Sequence, residues 1–415
     1  MKRNFQYILI ALVILIFSLP AFFFFMPSPD YSFTGVHTWV NALDSFFQLE
    51  ATHQGSISSS WLAENVYSTE TPAVQRLLLF YTSLGKLSHL LHIDWLVVYQ
   101  ASRVLLAGIF TLVLFWFIGL FVRQRLLKYF ILALSIFSGS LGLAMWPEGN
   151  LFLSLYNPPH IAFALILILV ILGNFYLWQK NKRGKFGVMA GSIFVLGWVH
   201  PYDALSVLFV LLVNGVYLWF QNKDKKLWVV LLVVCAFGAI PLAFHYIWSY
   251  RLFASSNFSL DDYPVMLHLL PLYLGLNFIL ILWAAVSWSI SSIKKRTPER
   301  HALKFWQKYW FLLLWLISGL LLLLAPWYFS RKLFLGVPIA INILAGILLF
   351  RFFLGSWLFK NRRALFLALY LLIASISTLT LLEQDISGLA KKEFPYALPR
   401  DIIDSYKAIT MPKVD

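Results

Sequence analysis

Apolar and polar positions along this chain are sorted into blocks rather than alternating residue by residue. Apolar runs recur at about 6–26, 95–122, 129–146, 160–179, 186–200, 202–220, 227–247, 267–292, 309–327, 333–353 and 364–382. Such runs match the length a helix needs to cross the hydrocarbon core of a bilayer. No strand-like alternation of the kind a membrane barrel requires is visible. One interval breaks the rhythm. Pro27 to Asp94 is the longest stretch that cannot sit in lipid, and it carries Asp30, Asp44, Glu50, Glu64, Glu70 and Asp94. Within it, residues 36–54 read as an amphipathic helix. Val36, Trp39, Val40, Leu43, Phe46 and Phe47 fall on one side, while His37, Asn41, Asp44 and Gln48 fall on the other. Such a helix can lie at a membrane surface with its aromatic side down, its polar face meeting either a substrate or only water. Residues 73–91 are also apolar, but Arg76 and Lys86 interrupt them. They are expected to form a re-entrant or surface helix on the outer side.

Composition agrees with a membrane chain. Of 415 residues, 60% are hydrophobic and only 12% charged, against about half and a quarter in soluble domains. The expected class is an all-α polytopic membrane protein with about eleven transmembrane helices. The net charge of +15 invites a nucleic-acid reading until its distribution is followed. Every second turn is basic: Arg123, Arg125 and Lys128; Lys180 to Lys185; Lys223 to Lys226; Lys294 to Lys308; Lys360 to Arg363. With Lys2, Arg3 and Arg351, these turns hold 22 of the 33 basic residues but only Asp224 and Glu299 among the acids. That asymmetry is the positive-inside pattern, so nucleic acid drops out. It places the N-terminus inside and the C-terminus outside. A membrane domain is expected over 1–386, with a first outer loop at 27–94, and a short extracytoplasmic tail over 387–415. Lys2 and Arg3 ahead of a long apolar run without a small-residue cleavage site read as a retained anchor. The single cysteine, Cys235, excludes an intrachain disulfide.

Ionisable residues near the membrane gather at one depth. Arg103, Glu148, His160, His200, Asp203, His245, Arg251, Arg331 and Lys332 all fall at predicted outer ends, where a charge usually has a reason. Asn157-Pro158-Pro159-His160 and His200-Pro201-Tyr202-Asp203 each place proline where a helix begins. The free N–H groups of such a helix start suit a phosphate or carboxylate. The alternative is two proline-started helices with ordinary boundary histidines. Glu148 reads equally as a second acid, a metal ligand or a solvated loop charge, and Asp261 and Asp262 share that ambiguity. Trp39, Trp61, Trp146 and Trp327 can stack on a sugar or belong to the interfacial belt. No zinc spacing, Walker loop, dinucleotide fingerprint or GxSxG elbow occurs.

The order of these features resembles the GT-C superfamily of integral-membrane glycosyltransferases, and within it an uncharacterised bacterial branch. The residues that carry the likeness are Asp44-Ser45-Phe46-Phe47 with Gln54-Gly55, Tyr67-Ser68-Thr69-Glu70, Leu84-Gly85-Lys86 and Tyr99 to Arg103. Downstream come Pro147-Glu148, Pro159-His160, His200-Pro201-Tyr202-Asp203 and Arg331 ahead of Gly336-Val337-Pro338. The resemblance implies a multi-pass enzyme of a bacterial cytoplasmic (inner) membrane. Its donor would be a polyprenyl-phosphate-linked sugar and its acceptor a lipid or envelope glycan. It also implies Asp44 as catalytic base and Glu148 as second acid. His160, His200, Asp203, Arg331 and Lys332 would contact substrate or phosphate, with a divalent cation (Mg or Mn) in some members. Many members carry paired acids where Asp44 is followed by Ser45, and Asp30 competes for the base role. Relatives often continue into a sizeable outer domain where this chain stops soon after Pro399. Two other classes are compatible with the same residues: a transporter of lipid-linked glycan or lipid, and a non-catalytic scaffold in envelope assembly.

Overall fold

The computed structural model describes residues 5–25, 29–40, 42–64, 75–76, 78–141, 147–156, 158–181, 184–223, 225–253, 270–295, 300–325, 330–352 and 362–401. The elements run α1 (Phe5–Phe25), β1 (Tyr31–Phe33), α2 (Ala42–Ile57), β2 (Ala63–Glu64), β3 (Gln75–Arg76), α3 (Leu79–Leu91), α4 (Trp95–Phe121) and α5 (Arg125–Phe137). They continue with α6 (Leu151–Tyr156), α7 (Pro159–Asn181), α8 (Phe186–Val199), α9 (Pro201–Asn222), α10 (Lys225–Phe253) and α11 (Leu270–Lys295). Last come α12 (Arg300–Leu323), α13 (Val337–Phe352), α14 (Arg363–Ala374), α15 (Ile376–Lys391) and β4 (Ala397–Pro399). Among the described residues, six helices are long and apolar enough to cross a membrane, in α4, α7, α9, α10, α11 and α12. The pair α14 and α15, bent by 54°, makes a seventh candidate. Shorter apolar helices cover Ile10–Phe22, Phe186–Val199 and Val337–Arg351. The chain is thus a multi-pass helical membrane protein, although not all of the eleven expected crossings are full-length helices. The expected span 129–146 differs most: α5 leaves the helix at Ser138, where Ser138-Gly139-Ser140 favours an irregular backbone.

The described chain divides into two compact units. The first comprises residues 1–108, 155–160 and 379–415. Its centre is the first loop, which is folded around a core of Val36, Leu49, Ala51, Ala63, Tyr81, Leu96 and Tyr99. The helices α2 and α3 pack at van der Waals distance along their backbones, because glycines meet there. A Cβ on Gly85 would stand 2.1 Å from the Thr52 carbonyl oxygen and 2.6 Å from the Gly55 carbonyl carbon. At 13 residues, α3 is shorter than a crossing needs. The amphipathic helix expected from Val36 begins only at Ala42. Side chains take the first backbone donors that a helix from Val36 would need: Trp39 N–H donates to Asp385 Oδ1 and Val40 N–H to Thr38 Oγ1. Strand β1 pairs antiparallel with β4, Ser32 opposite Leu398. The tail, read from sequence as an appendage, is therefore built into the first loop, and both lie on one side of any membrane.

The second unit comprises residues 109–154 and 161–378. Its central helix, α13, is apolar all round and buried from Val337 to Leu349 against α5, α11 and α12. Where α5 stops, the irregular backbone is satisfied from within: Gly139 N–H donates to the Ala374 carbonyl and Leu141 N–H to that of Leu272. This is how non-helical backbone survives inside a membrane protein. Gly275 interrupts α11 at φ 73°, where a Cβ would stand 2.2 Å from the Gly139 carbonyl oxygen. Only glycine meets both demands.

Candidate functional site

In the first unit the site is built around Tyr81. Asp44 stands exposed in the first turn of α2, where the helix dipole favours a carboxylate. Tyr81, 3% exposed on α3, lies within electrostatic reach of it. Burial, then the neighbouring Tyr99, then the Asp44 charge push the Tyr81 phenol well above its ordinary pKa. It therefore stays protonated at neutral pH. Its hydroxyl is hydrogen-bonded to Nδ1 of His160. His160 is the second residue of α7, immediately after Pro159, as the proline pattern predicts. Two residues singled out separately in the sequence thus bear on one tyrosine that was not, Asp44 through its charge and His160 through a hydrogen bond.

Beneath them is a buried polar group that orders the loop. Arg103 is fully buried on α4, donating to Gln100 Oε1 at 2.6 Å and to the Tyr156 carbonyl at 2.9 Å. Gln100 in turn donates to the Gly35 carbonyl at 2.7 Å. Asp385, also fully buried, accepts at Oδ1 from the Trp39 N–H at 3.2 Å and the Tyr396 hydroxyl at 2.6 Å. Arg103 and Asp385 are electrostatically coupled, as buried opposite charges need to be. His37 is fully buried, edge-on to Tyr156 at 5.3 Å, and neither ring nitrogen reaches hydrogen-bonding geometry. Burial and then the Arg103 charge hold its pKa well below the usual value, outweighing the nearby Tyr156 and Gly35 carbonyls. His37 is therefore neutral.

In the second unit, five predicted residues gather around one short 3-10 segment, Ser330–Phe334. Arg331 Nε lies 3.5 Å from Glu148 Oε2 of a second 3-10 turn, Pro147–Gly149. Lys332 Nζ lies 5.0 Å above the ring of Tyr202. His200 links α8 to α9, with Pro201 at the first position of α9. Its Nδ1 stands 2.9 Å from Oδ2 of Asp203, which is fully buried and so acts through His200. Ser206 Oγ anchors the segment by donating to the Leu333 carbonyl at 2.8 Å. The cluster pairs two cations with an acid and a histidine at a helix start, a composition suited to an anionic headgroup.

Among the described residues, no three or more His, Cys, Asp or Glu side chains come together as a metal site. Trp39 and Trp61 are exposed at 47% and 50%, with Lys86 Nζ 5.8 Å above the Trp61 ring. Glu70, Trp146, Asp261, Asp262 and Trp327, and the side chain of Arg251, lie outside the described residues. Sequence reasoning missed Tyr81 and Asp385. Asp385 carried no distinct signal, since it follows Glu383 and Gln384 just past the end of the last predicted span. Tyr81 had none.

No protein-family model matches this sequence, and no curated protein matches it. Among solved structures, it is similar to a cryo-EM structure of the arabinofuranosyltransferase AftD from mycobacteria, at 14% identity and a TM-score of 0.47. The match covers 90% of this chain and 28% of that one, so the chain spans little more than a quarter of that protein.

Proposed function

We propose that this chain is a membrane glycosyltransferase. It moves a sugar from a polyprenyl-phosphate donor to a lipid or envelope-glycan acceptor on the outer face of a bacterial cytoplasmic membrane. The observation that carries the reading is the exposed Asp44 carboxylate on a folded first loop, within electrostatic reach of Tyr81, whose hydroxyl is hydrogen-bonded to His160. Asp44 takes the proton of the acceptor hydroxyl as its oxygen bonds to the anomeric carbon. The bond from that carbon to the donor phosphate breaks, and the phosphate leaves with the electron pair. His160 donates to the departing oxygen. Within the second unit, Glu148 orients Arg331, and Asp203 positions His200. Nothing in this scheme is routed through a metal.

The β1–β4 pairing supports the topology, because it requires an even number of crossings between residues 33 and 397. Eleven crossings with the N-terminus inside satisfy that requirement and place the first loop and tail outside. The test is to purify wild type and Asp44→Asn and supply each with labelled polyprenyl-phosphate sugars and membrane-lipid acceptors. Labelled product from wild type alone supports transfer. A transporter would instead move lipid-linked sugar without a new bond, and is the second reading. A cavity at the opposite end of α9, the helix that follows His200, favours it, since transport needs an inward opening.

A further inference from the structure

The second unit contains a cavity of about 750 Å³ at the ends of its helices marked by basic inner turns. Leu218 of its wall is fifteen residues along α9 from Asp203, about 22 Å away. The cavity therefore plays no part in the chemistry at His200. Three cations line it, Arg123, Lys180 and Lys308, with no carboxylate among the lining residues. Inner-turn cations are expected throughout this face, but three further features set these apart. The Gln179 side-chain amide lines the cavity with both oxygen and nitrogen buried and unpartnered, a costly state that a ligand would relieve. Tyr176 and Tyr309 form an aromatic wall, with Lys180 Nζ 5.5 Å over the first and Lys308 Nζ 5.1 Å over the second. Finally, α12 is kinked at Tyr309 (φ −115°, ψ 18°), which opens the helix at the cavity.

Leu120, Leu127 and Leu218 add an apolar lining. A lining with cations, an amide and aliphatic side chains matches a ligand that is anionic at one end and apolar at the other. We infer that this cavity binds the phosphate of an anionic lipid headgroup from the inner leaflet, independently of the proposed transfer. Lys180 and Lys308 neutralise the phosphate, Gln179 donates to it, and the leucines meet the start of the acyl chains.

The test uses the full chain in mild detergent, with retained lipid counted by native mass spectrometry. Phosphatidylglycerol is compared with a diacylglycerol of the same chains, which lacks the phosphate. Wild type is expected to retain the former selectively. Lys180→Gln with Lys308→Gln should weaken retention about thirtyfold, at about fivefold per lysine near a membrane surface. Gln179→Leu, which leaves the charge intact, should weaken it about tenfold. Lys225→Gln with Lys226→Gln removes equal charge from a neighbouring turn outside the cavity and should stay within about twofold. Equal losses in the two double variants, or equal retention of the two lipids, would overturn the site. Displacement of the lipid by millimolar glycerol phosphate would keep the phosphate site and overturn the lipid source.

Discussion

Asp385→Ala should open the first loop, and the structure sets the size of the effect. The substitution strands the Trp39 N–H and the Tyr396 hydroxyl, both of which donate to Oδ1. It also leaves the fully buried Arg103 without its coupled anion. An orphaned buried donor costs about 1–3 kcal/mol, so the two together cost about 4 kcal/mol. Asp385→Asn keeps an acceptor oxygen and loses only the charge, for about 1.4 kcal/mol. The assay is limited proteolysis in micelles at the exposed Ser58-Ser59-Ser60 segment, read as the free energy of local opening. Cleavage should accelerate about a thousandfold for alanine and about tenfold for asparagine. An alanine variant cut less than about fivefold faster than wild type would refute the role given to Asp385.

Gly85→Ala should separate α2 from α3, because the added Cβ would meet backbone atoms rather than a side chain that can turn aside. We expect a loss above about 3 kcal/mol, seen in the same proteolysis assay. His37 predicts a pH dependence. Its pKa is depressed in the folded state, so below about 6.5 the unfolded chain binds a proton that the native chain refuses. Stability should fall as pH drops below that value, by at most about 1.4 kcal/mol per unit, and His37→Gln should flatten the slope in melts taken from pH 7 to 5. Topology predicts a third outcome. In a Cys235→Ala background, Ser59→Cys and Lys391→Cys should label from one side of sealed vesicles and Asn222→Cys from the other.

The membrane class was legible because long apolar runs and basic turns report physical partitioning directly, as around Lys180 and Lys223. The proline-started helices at Pro159 and Pro201 were legible for a similar local reason: proline at the first helical position forgoes only a donor that would be unpaired anyway. What was lost depends on contacts distant in sequence. Periodicity placed Val36, Trp39 and Val40 on a helix, but Asp385, almost 350 residues away, takes one of the backbone donors that helix would need. The tail read as an appendage because the partner of β4 lies at Tyr31–Phe33, and short strands leave no periodic signal. Tyr81 was invisible for the same reason: its importance lies in His160 and Asp44, which no local pattern connects to it. Asp44 itself was visible as an acid on an amphipathic helix, although its helix begins at Ala42 rather than Val36.

The central claim is that Asp44 is the base of a sugar transfer, and turnover of a polyprenyl-phosphate sugar by Asp44→Asn tests it most directly. Asp44 is exposed, and its replacement leaves the Tyr81–His160 contact in place, so the variant should melt like wild type and bind donor with an unchanged KM. The account predicts a kcat lowered by about 10²–10⁴-fold, the range a positioned base supplies. A kcat within about threefold of wild type would contradict it.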